Sequence, residues 1–266
     1  RSGKYDKFED VCGETLKEDY LVRNSGCVTC PIRCARVVKV EGKEVKGPEV
    51  ETLGLFGPNI LNNNMQSILD LNYEMDELGM DTISCGNTIS FAMELNEKGM
   101  WKNELEFGKI DNVGKVIEDI AYRRGIGDDL AEGSMRLAEK YGGHEFAMNA
   151  KGMELAAYEP RGAVGQGLGY AVANRGGCHL NGGYLVVLEG LGLSVNPYTT
   201  HGKGVLCAMF QDLMEACSAG GNCLFTTYAF FPTFLMSKPN SIVTRVVNKV
   251  MTDLGLVIKL LLRVPI

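Results

Sequence analysis

The sequence lacks long apolar runs and runs of basic residues. Its longest apolar stretch, Leu224 to Met236, has about 13 residues, whereas a membrane-spanning helix needs about 20. The tail that starts at Gly255 is shorter and contains Lys259 and Arg263. No run of Lys and Arg exceeds two residues and the formal net charge is −6, which argues against a nucleic-acid-binding surface. We therefore expect neither a membrane nor a nucleic acid as partner.

Histidine is scarce, with three residues in 266. His144 follows two glycines in a predicted surface turn, and His201 lies near the start of a predicted helix. His179 lies among small residues, where the backbone can approach a ligand closely. His179 is therefore a candidate functional residue, with a hydrogen-bonded core histidine as the alternative.

We expect no signal peptide, because no charged segment followed by an apolar segment opens the sequence. The chain begins at Arg1 and ends on the apolar pair Pro265-Ile266, so we expect a piece of a longer protein. Nine cysteines are an odd number and too few for a disulfide scaffold. Hydrophobic residues form 45% of the chain and charged residues 23%, which is typical of a packed core. We expect a reduced, cytoplasmic protein.

Hydrophobic spacing and helix-ending glycines predict a mainly α fold with a small β-hairpin. A polar-faced helix is predicted over residues 5–22, and a hairpin runs from Arg36 to Lys46 around Glu41-Gly42. The helix from Asn64 to Leu78 is predicted to end at Gly79, and Asp81 to begin the next. Further helices are predicted at 82–99, 113–124, 129–141, 203–217 and 240–254, the last ending at Gly255.

The glycine-rich stretch 151–198 has few helix signals and predicts tightly turned loops around short segments. Within it, the glycines from Gly165 to Gly169 lack the spacing, the preceding strand and the later acidic residue of a dinucleotide-binding loop, so that function is rejected. A weak boundary near 145–150 suggests two helical domains, residues 1–148 and 149–266.

Three cysteines, Cys27, Cys30 and Cys34, are spaced Cys-x2-Cys-x3-Cys in a predicted loop. This spacing places three thiolates close enough to bind three corners of an iron–sulfur cubane, with a fourth ligand from elsewhere. A zinc site completed by a distant Cys or His is the alternative, and three cysteines without a metal are another. The scattered Cys12, Cys85 and Cys207 are predicted to be small buried hydrophobic residues.

Acid–base candidates lie in two further segments. Glu49 and Glu51 follow the hairpin, and a carboxylate in a water-poor pocket can move protons. A solvated loop acid is the alternative there. Tyr158 to Arg161 and Asn174 to His179 flank the glycine-rich segment.

Taken together, six blocks resemble the tungsten/molybdenum aldehyde:ferredoxin oxidoreductase family. They occur in the family's order over about 200 residues. The blocks are the cysteine triplet, 47–52, 76–84, 158–162, 174–180 and 221–226. The resemblance covers the family's second domain and part of the third. Nothing here corresponds to the family's β-rich N-terminal domain, which cradles the pterins.

The resemblance implies specific ligands. Cys27, Cys30, Cys34 and Cys223 would bind one [4Fe–4S] cluster beside a tungsten or molybdenum bis-pterin. One pterin-binding block maps onto Asp76, Gly79, Met80 and Asp81. The other maps onto Ser218 to Cys223, where Ser218 replaces the expected Asp and Asn222 the expected Leu. These two departures weaken the expected contact with one pterin.

By the same resemblance, Glu51, Tyr158 and His179 would be catalytic. Glu51 is preferred to Glu49 because of its distance from the Asp76 block. The implied reaction is oxidation of an aldehyde to a carboxylic acid, with electrons passing through the cluster to ferredoxin. Because the pterin-cradling domain is absent, we expect little turnover by this chain alone. An electron relay that binds only the cluster, or a zinc-stabilised helical module, are the alternatives.

Overall fold

A computed structural model describes residues 5–191, 195–227, 238 and 240–253. As predicted, the fold is mainly α-helical with small antiparallel sheets. Within these residues, the α-helices longer than three residues are α1 (Val50–Phe56), α2 (Met65–Leu78), α3 (Thr82–Glu97), α4 (Val113–Ala121), α5 (Ile126–Leu130), α6 (Gly133–Tyr141), α7 (Val164–Val172), α8 (Lys203–Ala219), α9 (Leu224–Thr227) and α10 (Ile242–Asp253). None of the described helices is long and apolar enough to cross a membrane.

The predicted hairpin is confirmed. Strands β2 (Ala35–Val40) and β3 (Lys43–Lys46) pair in register, with Val40 opposite Lys43. Glu41 and Gly42 connect them at φ values of 49° and 78°, the left-handed conformation that tight hairpin turns require. The sequence did not indicate a third strand, β1 (Arg23–Ser25), which pairs antiparallel with β2. A two-stranded sheet, β4 (Asn149–Ala150) and β5 (Met153–Glu154), lies later in the chain.

Helix α2 ends and helix α3 begins at the capping residues that the sequence predicted. The Asn64 side chain accepts a hydrogen bond from the Ser67 N–H and caps α2. Gly79 ends α2 in the left-handed conformation at φ 68°. The Asp81 carboxylate accepts from the Ser84 N–H at 2.7 Å and begins α3. Both predicted helices are confirmed to within two residues at each end.

Several helix predictions need correction. Residues 5–22 form a 3₁₀ turn (Phe8–Val11), a short turn (Gly13–Thr15) and a π-turn (Leu16–Tyr20). Val11 and Leu16 are buried, so this segment is not one polar-faced helix. The helix predicted at 129–141 is two, α5 and α6, because Gly133 has a φ of 83°. The helix predicted at 113–124 ends at Ala121.

The prediction of tightly turned loops around short segments in 151–198 missed the nine-residue helix α7. The glycines Gly165, Gly167 and Gly169 lie on this helix. A Cβ atom at Gly169 would lie 2.3 Å from the carbonyl oxygen of Gly182, and one at Gly167 3.1 Å from Pro160. The glycines therefore allow close backbone contact rather than a phosphate-binding loop, in agreement with the rejection of that motif. Helices α8 and α10 confirm their predictions, whereas Gly255 lies outside the described residues.

Two compact units divide between Ala157 and Tyr158. The first has a core around α1, α2 and α3 that includes Phe56, Ile68 and Ile89. The second has a smaller core that includes Leu188, Leu206 and Phe210. The domain boundary after residue 148 stays a prediction.

The cysteines predicted to be hydrophobic core residues are buried, with exposures of 8% for Cys12, 7% for Cys85 and 2% for Cys207. His144 is exposed in a turn, as predicted. His201 is also exposed, and its Nε2 lies 2.6 Å from the Asp253 carboxylate, whose pKa this hydrogen bond lowers.

Candidate functional site

The cysteine triplet lies in the loop that joins β1 to β2. The pairing of Ser25 with Ala35 closes the base of this loop. Thr29 and Arg33 have left-handed φ values of 64° and 47°, so the backbone turns twice between the strands. Cys27 and Cys34 are exposed and Cys30 is half-buried. The three cysteines thus lie in a loop, as the sequence predicted, and this loop presents at least partly accessible thiols from an anchored base.

The donor set fits a thiolate-bound group, although the thiols do not converge on a common point. Among residues 5–191, 195–227 and 240–253, no three His, Cys, Asp or Glu side chains lie close enough together to hold a metal ion. The loop supplies three soft ligands on eight residues, the type of ligand that iron–sulfur clusters and zinc prefer. Cys223, the proposed fourth ligand, lies in the second unit and is exposed.

The two blocks assigned to the pterins have the same local structure. In the first, the Gly79 N–H donates to the Asp76 carbonyl at 3.2 Å and the Met80 N–H to the Met75 carbonyl at 2.9 Å. In the second, the Gly221 N–H donates to the Ser218 carbonyl at 3.1 Å and the Asn222 N–H to the Cys217 carbonyl at 3.0 Å. The central glycines have φ values of 68° and 70°. Each block is therefore a helix end, a left-handed glycine and a new helix start.

Each of these two helix junctions exposes its polar side chains at the surface of its own unit. Asp76, Asp81, Ser218 and Asn222 are all exposed. Asp81 corresponds in position to Cys223, and both directly precede a helix. The Ser218 hydroxyl stands where the first block has the Asp76 carboxylate, so the two junctions differ in charge while their backbones agree.

The structure distinguishes the two candidate carboxylates in the first unit. The Glu49 carboxylate accepts a hydrogen bond from the Arg36 guanidinium at 2.5 Å and also lies 4.0 Å from Lys46. It therefore connects β2 and β3 to the start of α1. Glu51 is half-buried in the first turn of α1. The ion pair gives Glu49 a structural role, and the choice of Glu51 as the functional acid stays a prediction.

Tyr158 and His179 lie together in the second unit. Their ring centroids are 5.8 Å apart. A third ring, Tyr184, lies edge-on to both, at 5.9 Å from Tyr158 and 5.5 Å from His179. The Tyr158 and Tyr184 hydroxyls are hydrogen-bonded at 3.1 Å. Tyr184 was missed in the sequence, although it follows two glycines just after His179.

Helix α7 and buried polar side chains hold the three rings of Tyr158, His179 and Tyr184 in place. The fully buried Gln166 accepts a hydrogen bond from the Val186 N–H at 3.1 Å and donates to the His179 carbonyl at 3.4 Å. The Glu189 carboxylate accepts from the N–H groups of Gly165 and Gln166, which begin α7. The loop that carries His179 and Tyr184 is thus fixed to α7 from both sides.

Comparisons with known proteins identify the family of this chain. A family model described as "Aldehyde ferredoxin oxidoreductase, domains 2 & 3" matches residues 1–254. The chain belongs to this family of oxidoreductases.

Its relatives include the tungsten-containing aldehyde ferredoxin oxidoreductases of Pyrococcus furiosus, 44% identical over 239 residues, and of Thermococcus kodakarensis, 43% identical over 239 residues. These alignments cover 86% of this chain and 39% of each relative. The chain therefore spans about two fifths of the length of these relatives. An aliphatic sulfonate oxidoreductase subunit of Pyrococcus furiosus is 30% identical over 168 residues.

Among solved structures, the active-site complex BamBC of benzoyl coenzyme A reductase with 1,5-dienoyl-CoA matches 57% of this chain and 25% of its own chain. The TM-score is 0.48 at 24% sequence identity. Similarity of this degree supports no functional conclusion.

Proposed function

We propose that this chain is the part of an aldehyde-oxidising enzyme that binds a [4Fe–4S] cluster and supplies acid–base residues to a bis-pterin tungsten or molybdenum centre. The observation that carries the proposal is the contact between Tyr158 and His179 in a buried scaffold. The family resemblance assigns both to catalysis, and they are 21 positions apart in the sequence. Family membership and the tungsten-containing relatives support the same reaction class.

The residues present fit the groups that they would hold. Cys27, Cys30, Cys34 and Cys223 are the cluster ligands, and all four thiols are at least partly accessible. Asp76 and Asp81 at one helix junction, and Ser218 and Asn222 at the other, would contact the pterins. When bound, the tungsten or molybdenum centre would supply two-electron oxidation of the aldehyde, and the cluster one-electron transfer to ferredoxin.

The chain's own residues then orient the substrate and move protons. The Tyr158 hydroxyl would donate a hydrogen bond to the aldehyde oxygen and polarise the carbonyl. The His179 imidazole, next to it, would accept the proton released in the oxidation. Glu51 is the alternative proton acceptor.

Elemental analysis tests the cofactor part of this proposal. After anaerobic purification we expect about four irons per chain and no zinc. Stoichiometric zinc without iron would support the zinc-stabilised module instead, and iron without tungsten or molybdenum would leave only the electron relay for this chain.

Aldehyde turnover is measured on the full-length protein that contains this chain, with ferredoxin or an artificial acceptor. His179→Gln in that protein should lower kcat more than 100-fold, because acid–base groups contribute about 10²–10⁴ in rate. His144→Gln is the matched control, because His144 is an exposed histidine in a surface turn. Equal activity of the two variants would contradict the role of His179.

A further inference from the structure

Tyr184 has an unusual backbone for a tyrosine. Its φ is 49°, in the left-handed region, where bulky residues are rare. The N–H of Tyr184 donates to the His179 carbonyl at 3.1 Å. Such a conformation costs free energy and persists only where the surrounding structure fixes it.

The surrounding structure does fix it. A Cβ atom at Gly182 would lie 2.8 Å from the backbone of Gly169 on α7, and one at Gly183 3.2 Å from Phe210 on α8. The two residues before Tyr184 are therefore held between two helices by direct backbone packing. A larger residue at either position would displace the Tyr184 ring.

This rigid placement brings the Tyr184 hydroxyl to the Tyr158 hydroxyl, at 3.1 Å. Each phenol has one proton to donate. If Tyr184 donates to the Tyr158 oxygen, the Tyr158 proton remains for another acceptor. A hydroxyl whose oxygen accepts a hydrogen bond is also a stronger donor.

We propose that Tyr184 is a positioning residue that directs the Tyr158 hydroxyl proton toward the substrate oxygen. This inference rests on the proposed function of Tyr158 as the group that polarises the carbonyl. Tyr184 acts through Tyr158, so its hydroxyl has no effect once the Tyr158 hydroxyl is removed.

A double-mutant cycle in the full-length, cofactor-loaded protein tests the inference. Tyr184→Phe keeps the ring and removes only the hydroxyl. We expect kcat to fall at least tenfold with KM changed less than threefold, because the lost interaction acts in the transition state. In the Tyr158→Phe background, the same change should lower kcat less than twofold.

Tyr198→Phe is the matched control, since Tyr198 is 77% exposed in the same unit. Equal falls in kcat on Tyr184→Phe in both backgrounds would indicate a merely structural role and overturn the inference. Full activity of Tyr184→Phe would also overturn it. A wild-type protein without aldehyde turnover would instead overturn the proposed function, and with it this role of Tyr184 in catalysis.

A second readout needs no cofactor. In this chain labelled with ¹³Cζ-tyrosine, Tyr184→Phe should shift the Tyr158 resonance, which is assigned by its loss in Tyr158→Phe. Tyr198→Phe should leave that resonance in place. An unchanged Tyr158 resonance in Tyr184→Phe would show that the two hydroxyls are not hydrogen-bonded.

Discussion

The ammonium group of Lys203 forms an ion pair with the Glu189 carboxylate, and the two side chains are 2% and 1% exposed. The same carboxylate accepts hydrogen bonds from the Gly165 N–H at 2.8 Å and the Gln166 N–H at 3.0 Å. Lys203 begins α8, so one carboxylate connects the starts of two helices. A negative charge at a helix N-terminus is also stabilised by the helix dipole.

Removing the cation should destabilise the second unit strongly. Lys203→Met would leave a buried carboxylate without its cation, and we expect a loss of about 3–5 kcal/mol in the free energy of unfolding. Urea unfolding followed by far-UV circular dichroism measures this loss. Lys249→Met is the control, because Lys249 is an exposed lysine on α10, where the change should be below about 0.5 kcal/mol. Equal stability of the two variants would contradict a stabilising role for the buried pair.

Several elements of the fold were predicted from residues that act on their own neighbours. Asn64, Gly79 and Asp81 cap helices through side chains or φ values within a few residues. The Glu41-Gly42 turn is similarly local. These elements were therefore predictable from the sequence.

Elements that depend on distant partners were not predictable. Helix α7 contains several glycines, which disfavour helices, and it forms because Gly169 packs against Gly182 and because Glu189 caps its first turn. The residues of the candidate site likewise divide into those that a sequence pattern indicates and those that only a distant contact reveals. Cys27 and Cys30 were found through their spacing, and Tyr158 and His179 through the family resemblance. Tyr184 has no motif of its own and is recognised only through its hydroxyl contact.

The close packing of Gly169 predicts opposite effects of one substitution at two helical glycines. Gly169→Ala places a methyl group 2.3 Å from the Gly182 carbonyl oxygen, so we expect a loss of about 1–3 kcal/mol in the free energy of unfolding. At Gly204 on α8 no described atom lies within 4 Å of an added Cβ, and Gly204→Ala should gain about 0.5 kcal/mol. Thermal unfolding distinguishes the two. A stable Gly169→Ala variant would show that α7 and the loop can separate at little cost.

Asp129 gives the first unit a pH-dependent stability. Hydrogen bonds from Lys140 and from Tyr141, the latter at 2.6 Å, lower the pKa of the Asp129 carboxyl. Because the pKa is lowered in the folded state, the stabilisation is present above the unfolded value of 3.8 and is lost as the pH falls through the folded value. Asp129→Asn should cost about 1 kcal/mol at pH 7, and the difference from wild type should vanish once the pH has fallen below the lowered pKa of the folded state.

Trp101 is the probe for this measurement. It is the only tryptophan in the sequence, and its ring stacks on Tyr141 with centroids 4.4 Å apart. Asp128→Asn is the control, because Asp128 shares the first turn of α5 but pairs with Arg123 at 3.0 Å rather than with Lys140 and Tyr141. A loss for Asp129→Asn that persists unchanged at low pH would contradict the assignment to the ionised carboxylate.

Thiol accessibility tests the cluster ligands independently of activity. Burial, followed by the charges of Asp81 and Glu74, raises the pKa of the Cys85 thiol to about 12, and burial also raises that of Cys207. Because the thiolate is the reactive form, neither cysteine should react with iodoacetamide at about pH 8 before unfolding. In contrast, the exposed Cys27, Cys34 and Cys223 should be alkylated first.

Loading with iron and sulfide should then protect Cys27, Cys30, Cys34 and Cys223 together, because a cubane is held by four thiolates. Peptide mass spectrometry after alkylation reads out each cysteine separately. Cys223→Ser should lower the bound iron, whereas Cys217→Ser, six residues earlier at the end of α8, should leave about four irons per chain. Unchanged alkylation of Cys223 in the iron-loaded protein would rule it out as the fourth ligand, and protection by zinc without iron would favour a structural zinc site. The alkylation pattern therefore tests which cysteines are ligands, and the metal that protects them tests whether the site binds iron or zinc.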